Sequence, residues 1–203
     1  MTSVITGDVI HSQKLNPKIW LEVLKQELNT IGSNPLNWEI YRGDSFQVEV
    51  SNHLEVIEKA IKIKASLKSL KGIDVRMAIG IGDKTHSAEK ITESNGTAFV
   101  FSGEQFESLV KERKSLAIAS PSKKIDSDIN LLLKLALIAM DNWSVNSAQM
   151  VKISMENSDK SQKDLGEMLR IKQNAVSNRL KRAYYDEISE LLIKCQSKLK
   201  EII

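Results

Sequence analysis

The chain is poor in the residues that staple or punctuate a fold. Of its 203 residues, one is cysteine, three are proline and nine are glycine. A lone cysteine, Cys195, cannot close an internal disulfide, which excludes a disulfide scaffold and favours a reducing, cytoplasmic setting. So few glycines and prolines exclude collagenous and low-complexity chains. Aromatic residues reach only 5%, so aliphatic side chains must build the core. No apolar run approaches the roughly 18 residues a membrane span needs. The longest, Leu131–Met140, is short and contains Lys134. No membrane partner is expected. The first residues place Asp8 inside an apolar segment without a basic cluster, unlike a secretory leader.

What is present is ordinary for a globular chain: 41% hydrophobic and 27% charged residues, enough for one domain or two small ones. The net charge of +3 is uninformative as a total. Its distribution says more. Residues 1–143 carry 18 basic and 18 acidic side chains, whereas residues 144–203 carry 11 and 8. Within the latter, Lys172–Tyr184 holds Lys172, Arg179, Lys181 and Arg182 and no acid.

Periodicity predicts an order β-α-β-β-α-β-α-β over the first 119 residues. Ser3–Ile10 reads as a buried strand, and Pro17 opens a helix that Gly32 closes. Trp38–Val50 reads as two strands around Gly43-Asp44, with Phe46, Val48 and Val50 alternating against polar neighbours. Asn52–Leu70 follows as an amphipathic helix, then a strand at Val75–Ile81 and a polar, irregular stretch at Asp83–Asn95. Ala98–Phe101 leads into a helix that ends near Arg113, and Leu116–Ala119 is a short strand. This order is the split βαβ arrangement of ferredoxin-like and palm domains. The expected fold class is therefore α/β (α+β): a palm-like βαββαβ domain at 1–119, a linker at 120–126, and an all-helical domain at 127–203.

Two Gly-Asp pairs carry the chemistry of the first domain. Gly7-Asp8 ends or interrupts the first strand, and Gly43-Asp44 lies in the hairpin turn. The topology sets the hairpin beside the first strand, so the two carboxylates can converge. Asp8 and Asp44 are then candidate Mg²⁺ ligands, with phosphate oxygens completing the octahedron. Gly7 and Gly43 let backbone N–H groups approach a phosphate, and Arg42 and Ser45 flank it. Ser45, Ser102 and Asp83 lie near the expected cleft, whereas Arg76, on a strand, is expected to face solvent or form a surface ion pair. His11, His53 and His86 have no zinc spacing. Neither a P-loop nor a dinucleotide fingerprint is present.

The segments ITGDVIHS (5–12), YRGDSFQ (41–47), VRMAIGIGD (75–83) and GTAFVFSGEQF (96–106) resemble the bacterial SatD family over nearly the whole chain. The first domain is also similar to class III nucleotide cyclases. These carry Asp-Ile-x-Gly-Phe on the first strand, Gly-Asp-Gly-Phe/Tyr in a hairpin, and Arg-Ile-Gly-Ile-His-x-Gly on a later strand. The resemblance implies metal-binding roles for Asp8 and Asp44. The position of the family's base-reading lysine falls on Ile40, and that of its glycine after the first aspartate falls on His11.

The strongest local motif is Ser161–Leu180. Ser161 and Asp164 suit a helix cap. Leu165, Met168 and Leu169 form a predicted buried stripe, Gly166 allows a close crossing, and Ala175, Val176 and Leu180 bury the next helix. Two helices joined by a short turn have these offsets. The opposite face offers Lys172, Gln173, Asn174, Ser177, Asn178, Lys181 and Arg182 to duplex DNA, where amides read adenine edges and cations hold phosphates or guanine. The stretch resembles the helix-turn-helix of sigma region 4, with Trp143–Ser158 as the preceding helix. Arg170 stands where many such turns carry glycine. Beyond it, Ile188, Leu191, Leu192, Cys195, Leu199 and Ile202 form a stripe that either covers this unit or seams a homodimer. The expectation is a transcriptional regulator that binds DNA and senses a nucleotide. The rival is a Mg²⁺-dependent cyclase or nucleotidyl transferase tethered to DNA, and a third reading is a palm that only dimerises.

Overall fold

A computed structural model describes residues 1–202. The fold is α+β, and among the described residues a five-stranded mixed sheet carries eight α-helices. The strands are β1 (Thr2–Ile10), β2 (Trp38–Tyr41), β3 (Ser45–Val50), β4 (Asp74–Gly82) and β5 (Leu116–Ala119). They stand in the order β2-β3-β1-β4-β5, antiparallel except for the β4–β5 pair. The helices of the first part are α1 (Pro17–Asn29), α2 (Val56–Lys68) and α3 (Thr97–Glu112), so the expected order of elements through residue 119 is present.

Alternation decides which helix covers which face. Ile5, Val9, Phe46, Val48, Met77, Ile79 and Ile118 point to one side, where they join Leu24, Leu28, Ile57 and Ile61 of α1 and α2. Helix α3 takes the other side. There the strands carry small residues, and the helix backbone lies directly on the sheet. A Cβ on Gly80 would sit 2.1 Å from the Ala98 carbonyl oxygen and 2.4 Å from the Ser102 nitrogen. The helix begins at Thr97, so Ala98–Phe101 are already its first turns.

The second part comprises α4 (Lys123–Met140), α5 (Val145–Glu156), α6 (Gln162–Leu169), α7 (Gln173–Ala183) and α8 (Tyr185–Leu199). Residues 120–126 do not behave as a linker. Ser120 is buried, its hydroxyl and N–H both donate to the Asp126 carboxylate at 2.6 and 3.0 Å, and α4 has started by Lys123. Nor do the two expected domains have separate interiors. Ile125, Ile129, Leu133, Trp143, Val151, Ile188, Cys195 and Leu199 belong to the same apolar cluster as Ile5 and Ile79. The α8 stripe thus faces the common core, with Ile188, Cys195, Leu199 and Ile202 buried.

Polar clamps reinforce this union. The fully buried Lys64 of α2 places its ammonium 2.8 Å from Asp74 on β4 and 2.8 Å from Asp141 after α4. Lys68 donates to Asp74 at 2.9 Å and to the Asp141 carbonyl at 2.8 Å. On the far side of α2, Lys62 and Lys152 share Glu27 and Glu156, joining α1, α2 and α5. No described helix is long and apolar enough to cross a membrane.

Candidate functional site

Strand β1 is the centre of the first site. Its register sets Asp8 opposite Ser45 on one side and Arg76 on the other. Period-two alternation puts Asp8 and Thr6 on the α3 side of the sheet, beside Gln47 and Ser102. Thr6 and Ser102 share a hydrogen bond of 3.0 Å, and Gln47 donates to Thr6 at 3.4 Å. Asp8 is left differently. Its Oδ1 is buried without a hydrogen-bond partner, and the Arg76 Nε lies 3.8 Å away. Burial pushes the Asp8 carboxyl above its ordinary range; Arg76 opposes that, and the charge of Asp44 adds to it. An incompletely satisfied buried carboxylate is costly, and a cation would relieve it.

The hairpin brings Asp44 to this place. Arg42 and Gly43 both have positive φ, 52° and 91°, which bends the three-residue turn back toward β1. The Asp44 carbonyl accepts from the Val9 N–H at 3.1 Å, and its carboxylate accepts from Ser12 at 2.8 Å. The two aspartates are thus close enough for one to feel the other's charge, while Ser12 orients the second. Among the described residues no group of three metal-ligating side chains gathers. A cation held here would rest on Asp8, Asp44 and oxygens of its own ligand, and the Asp8 Oδ1, which accepts no hydrogen bond and has only the Arg76 guanidinium at 3.8 Å, fits that donor set.

Several expected residues have other places. Gly7 faces away from Asp8; a Cβ there would meet the Phe46 ring at 2.6 Å and the Arg76 carbonyl at 2.8 Å. Its smallness serves packing under Phe46, so it is not a phosphate-approach glycine. Gly43 is open, with nothing near its missing Cβ, and Arg42 is exposed beside it. Arg42 and Ser45 line a cleft of about 380 Å³ with Tyr41, Gly103, Phe106 and Lys111. Burial raises the Tyr41 hydroxyl within it, partly opposed by Arg42. Asp83 follows the other end of β4, where Gly82 pairs with Thr2, about 20 Å along the strands from Asp8. Ser102 is buried and spent on Thr6 and the Phe99 carbonyl. His11 is exposed in a left-handed conformation just past β1. Ser12 and Gln47 had no separate signal in the sequence.

The second site is α7. Helices α5, α6 and α7 meet around Met150, Leu165, Val176 and Leu180. Ser161 and Asp164 form the expected capping box: the Ser161 hydroxyl accepts from the Asp164 N–H, and the Asp164 carboxylate accepts from the Ser161 N–H. Gly166 is small because a Cβ would lie 2.7 Å from the Ile171 carbonyl. Arg170 ends α6 at φ 54°, the left-handed position glycine usually fills. Met168 departs from its expected place: it is 52% exposed, and Leu165 and Leu169 alone carry the stripe.

All seven expected recognition residues, Lys172, Gln173, Asn174, Ser177, Asn178, Lys181 and Arg182, are exposed. Among the described residues none of the four cations of Lys172–Tyr184 enters a salt bridge, so the face keeps its positive charge. Arg182 also borders a groove toward α4 and α8. The helix is firmly seated, since the Trp143 indole donates to the carbonyl of Ala183 at 2.9 Å.

No family model, no curated protein and no solved structure matches this chain.

Proposed function

We propose that the protein is a regulator that binds duplex DNA through α7. The observation that carries this reading is the face itself: exposed amides and unpaired cations on one short helix, free of acid, seated on α5 and α6. Read as a helix-turn-helix, α6 crosses the backbone and the N-terminal half of α7 enters the major groove. Gln173, Asn174, Ser177 and Asn178 then face base edges, and Lys172 and Lys181 hold phosphates. Fluorescence anisotropy with duplexes enriched from a random pool tests it. Lys181→Ala is expected to weaken binding to every sequence and to flatten the slope of log K against log salt by about 0.9. Gln173→Ala is expected to relax sequence preference instead. Duplex binding that neither substitution changes overturns the reading.

For the sheet, the Asp8 Oδ1, buried without a hydrogen bond, favours a Mg²⁺–nucleotide site shared by Asp8, Asp44, Arg42 and Ser45. The strand order β2-β3-β1-β4, with α1 and α2 as crossovers, supports a palm-like frame. Sensing is preferred to cyclase or transferase turnover because Ile40, at the position of the base-reading lysine, packs against the apolar core. Ligand binding would act on α7 by linkage through the common core, and only by as much as it prefers one arrangement. Thermal shift against ATP, GTP and dinucleotides tests it. A Mg²⁺-dependent rise in Tm that Asp44→Ala abolishes supports the site. No rise at millimolar nucleotide overturns it.

A further inference from the structure

Helix α4 has a face that nothing in the chain covers. Leu131, Leu135 and Ile138 follow one another at helical spacing and are 59%, 58% and 70% exposed. Isolated exposed leucines are ordinary, but three on one ridge form a patch. The ridge has a groove beside it. Helices α4 and α8 run antiparallel, since Lys198 near the end of α8 holds Asp128 in the first turns of α4 at 2.6 Å. Between them lies a groove of about 870 Å³, floored by Leu132, Ala136, Ile188 and Leu191.

We infer that this face is where two copies of the chain associate, each α4 ridge lying in the other copy's α4–α8 groove to make a four-helix bundle. Two observations select a second copy over a different partner. Ridge and groove share Leu135 and Ile138, so the surface carries both the projecting shape and the shape that receives it. A two-fold interface requires such self-complementarity, because the same patch serves on both sides. The rim is also balanced, with Arg182 and Lys194 against Glu187 and Glu190. A two-fold can set each sign on one copy against the opposite sign on the other. A rim built for an acidic or basic partner would carry one sign. The apolar floor inside a charged rim follows the usual anatomy of a protein interface.

The inference stands independently of the DNA reading. If both hold, Arg182 lies where the dimer seam meets α7, and the seam sets the spacing between two recognition helices.

The test is sedimentation of the full chain from about 1 to about 100 µM, with light scattering for mass, a range that detects even a weak dimer. The expected mass is twice 22.8 kDa. Leu135→Asp and Ile138→Asp alter exposed positions and leave the core intact. Each is expected to weaken the dimer about a hundredfold or more, because each lost apolar contact occurs twice. Circular dichroism and Tm confirm that the variants fold. A wild-type monomer at 100 µM overturns the inference. So does a dimer that survives both aspartates, which would place the interface elsewhere, or a groove that binds only small apolar dyes while the chain remains monomeric.

Discussion

Lys64 is the side chain whose loss has the most to reveal. Its ammonium is wholly buried and touches two carboxylates at 2.8 Å, one on the sheet and one after α4. Breaking a buried ion pair from one side typically costs about 3–5 kcal/mol, because the other charge remains behind. Lys64→Met keeps the volume and removes the charge. Asp74 is not fully stranded, since Lys68 holds it at 2.9 Å and the Val75 N–H donates to it at 2.8 Å. Asp141 is 44% exposed and keeps its bond from Ser115. Both points move the expectation to the lower end, about 3 kcal/mol, or roughly 6–12 °C in Tm for a chain of this length. Urea unfolding followed by circular dichroism measures it as a lower midpoint with unchanged m. Adding Asp74→Asn to Lys64→Met should cost less than the two single changes together. The acid limb has a definite sign. Burial alone raises the Asp74 carboxyl, but Lys64 and Lys68 outweigh it and hold it below 3.8. Its contribution is therefore complete at neutral pH and is lost as pH falls below 3.8 through the lower folded value. A loss under about 1 kcal/mol in Lys64→Met, the worth of a surface pair, would refute the reasoning.

Three further outcomes are expected. Asp8 is raised by burial, so its ionised form opposes folding once pH rises through the folded value; Asp8→Asn should leave Tm at neutral pH unchanged or higher, by up to about 1 kcal/mol in calorimetry, and a clear fall would make it a structural partner of Arg76. Gly80→Ala should destabilise by about 3 kcal/mol or more, read from denaturant midpoints, because α3 must lift off the sheet to admit the methyl group; a near-neutral result would mean that α3 is loosely seated. Arg170→Gly should stabilise by up to about 1 kcal/mol, since only the left-handed backbone changes its cost, and a lower Tm would show that the guanidinium has a structural role.

The elements that stood out in the sequence were those whose burial pattern is local. Phe46, Val48 and Val50 alternate, and Ile57, Ala60, Ile61 and Leu67 recur at helical spacing, so β3 and α2 were legible without a partner in view. The hairpin was legible because Arg42-Gly43-Asp44 is turn chemistry. What escaped was set by contacts distant in sequence. Serines, a proline and charges at 120–126 read as linker, yet Ser120 and Asp126 satisfy one another and let the chain turn inward. Lys64 occupies a helical position of the buried face of α2, which is a detectable anomaly. Its partners lie 10 and 77 positions away, and no local pattern marks them. At the candidate site, the approach of the Asp8 and Asp44 carboxylates to one another was legible from residue type and spacing. The hold of Ser12 on Asp44, and the packing role of Gly7, depend on which way a strand residue faces, and a one-residue shift reverses that.

The indole of Trp143 has a use beyond packing. It is buried, and its N–H is committed to the last carbonyl of α7, while the other two tryptophans, Trp20 and Trp38, sit at α1 and the outer strand of the sheet. With those two replaced by phenylalanine, the protein would carry an optical probe wired to one end of the helix proposed to bind DNA. A shift of α7 by a fraction of a turn would stretch that bond and alter the emission. Any signal passing from sheet to helix could then be timed by stopped-flow fluorescence, with no label attached.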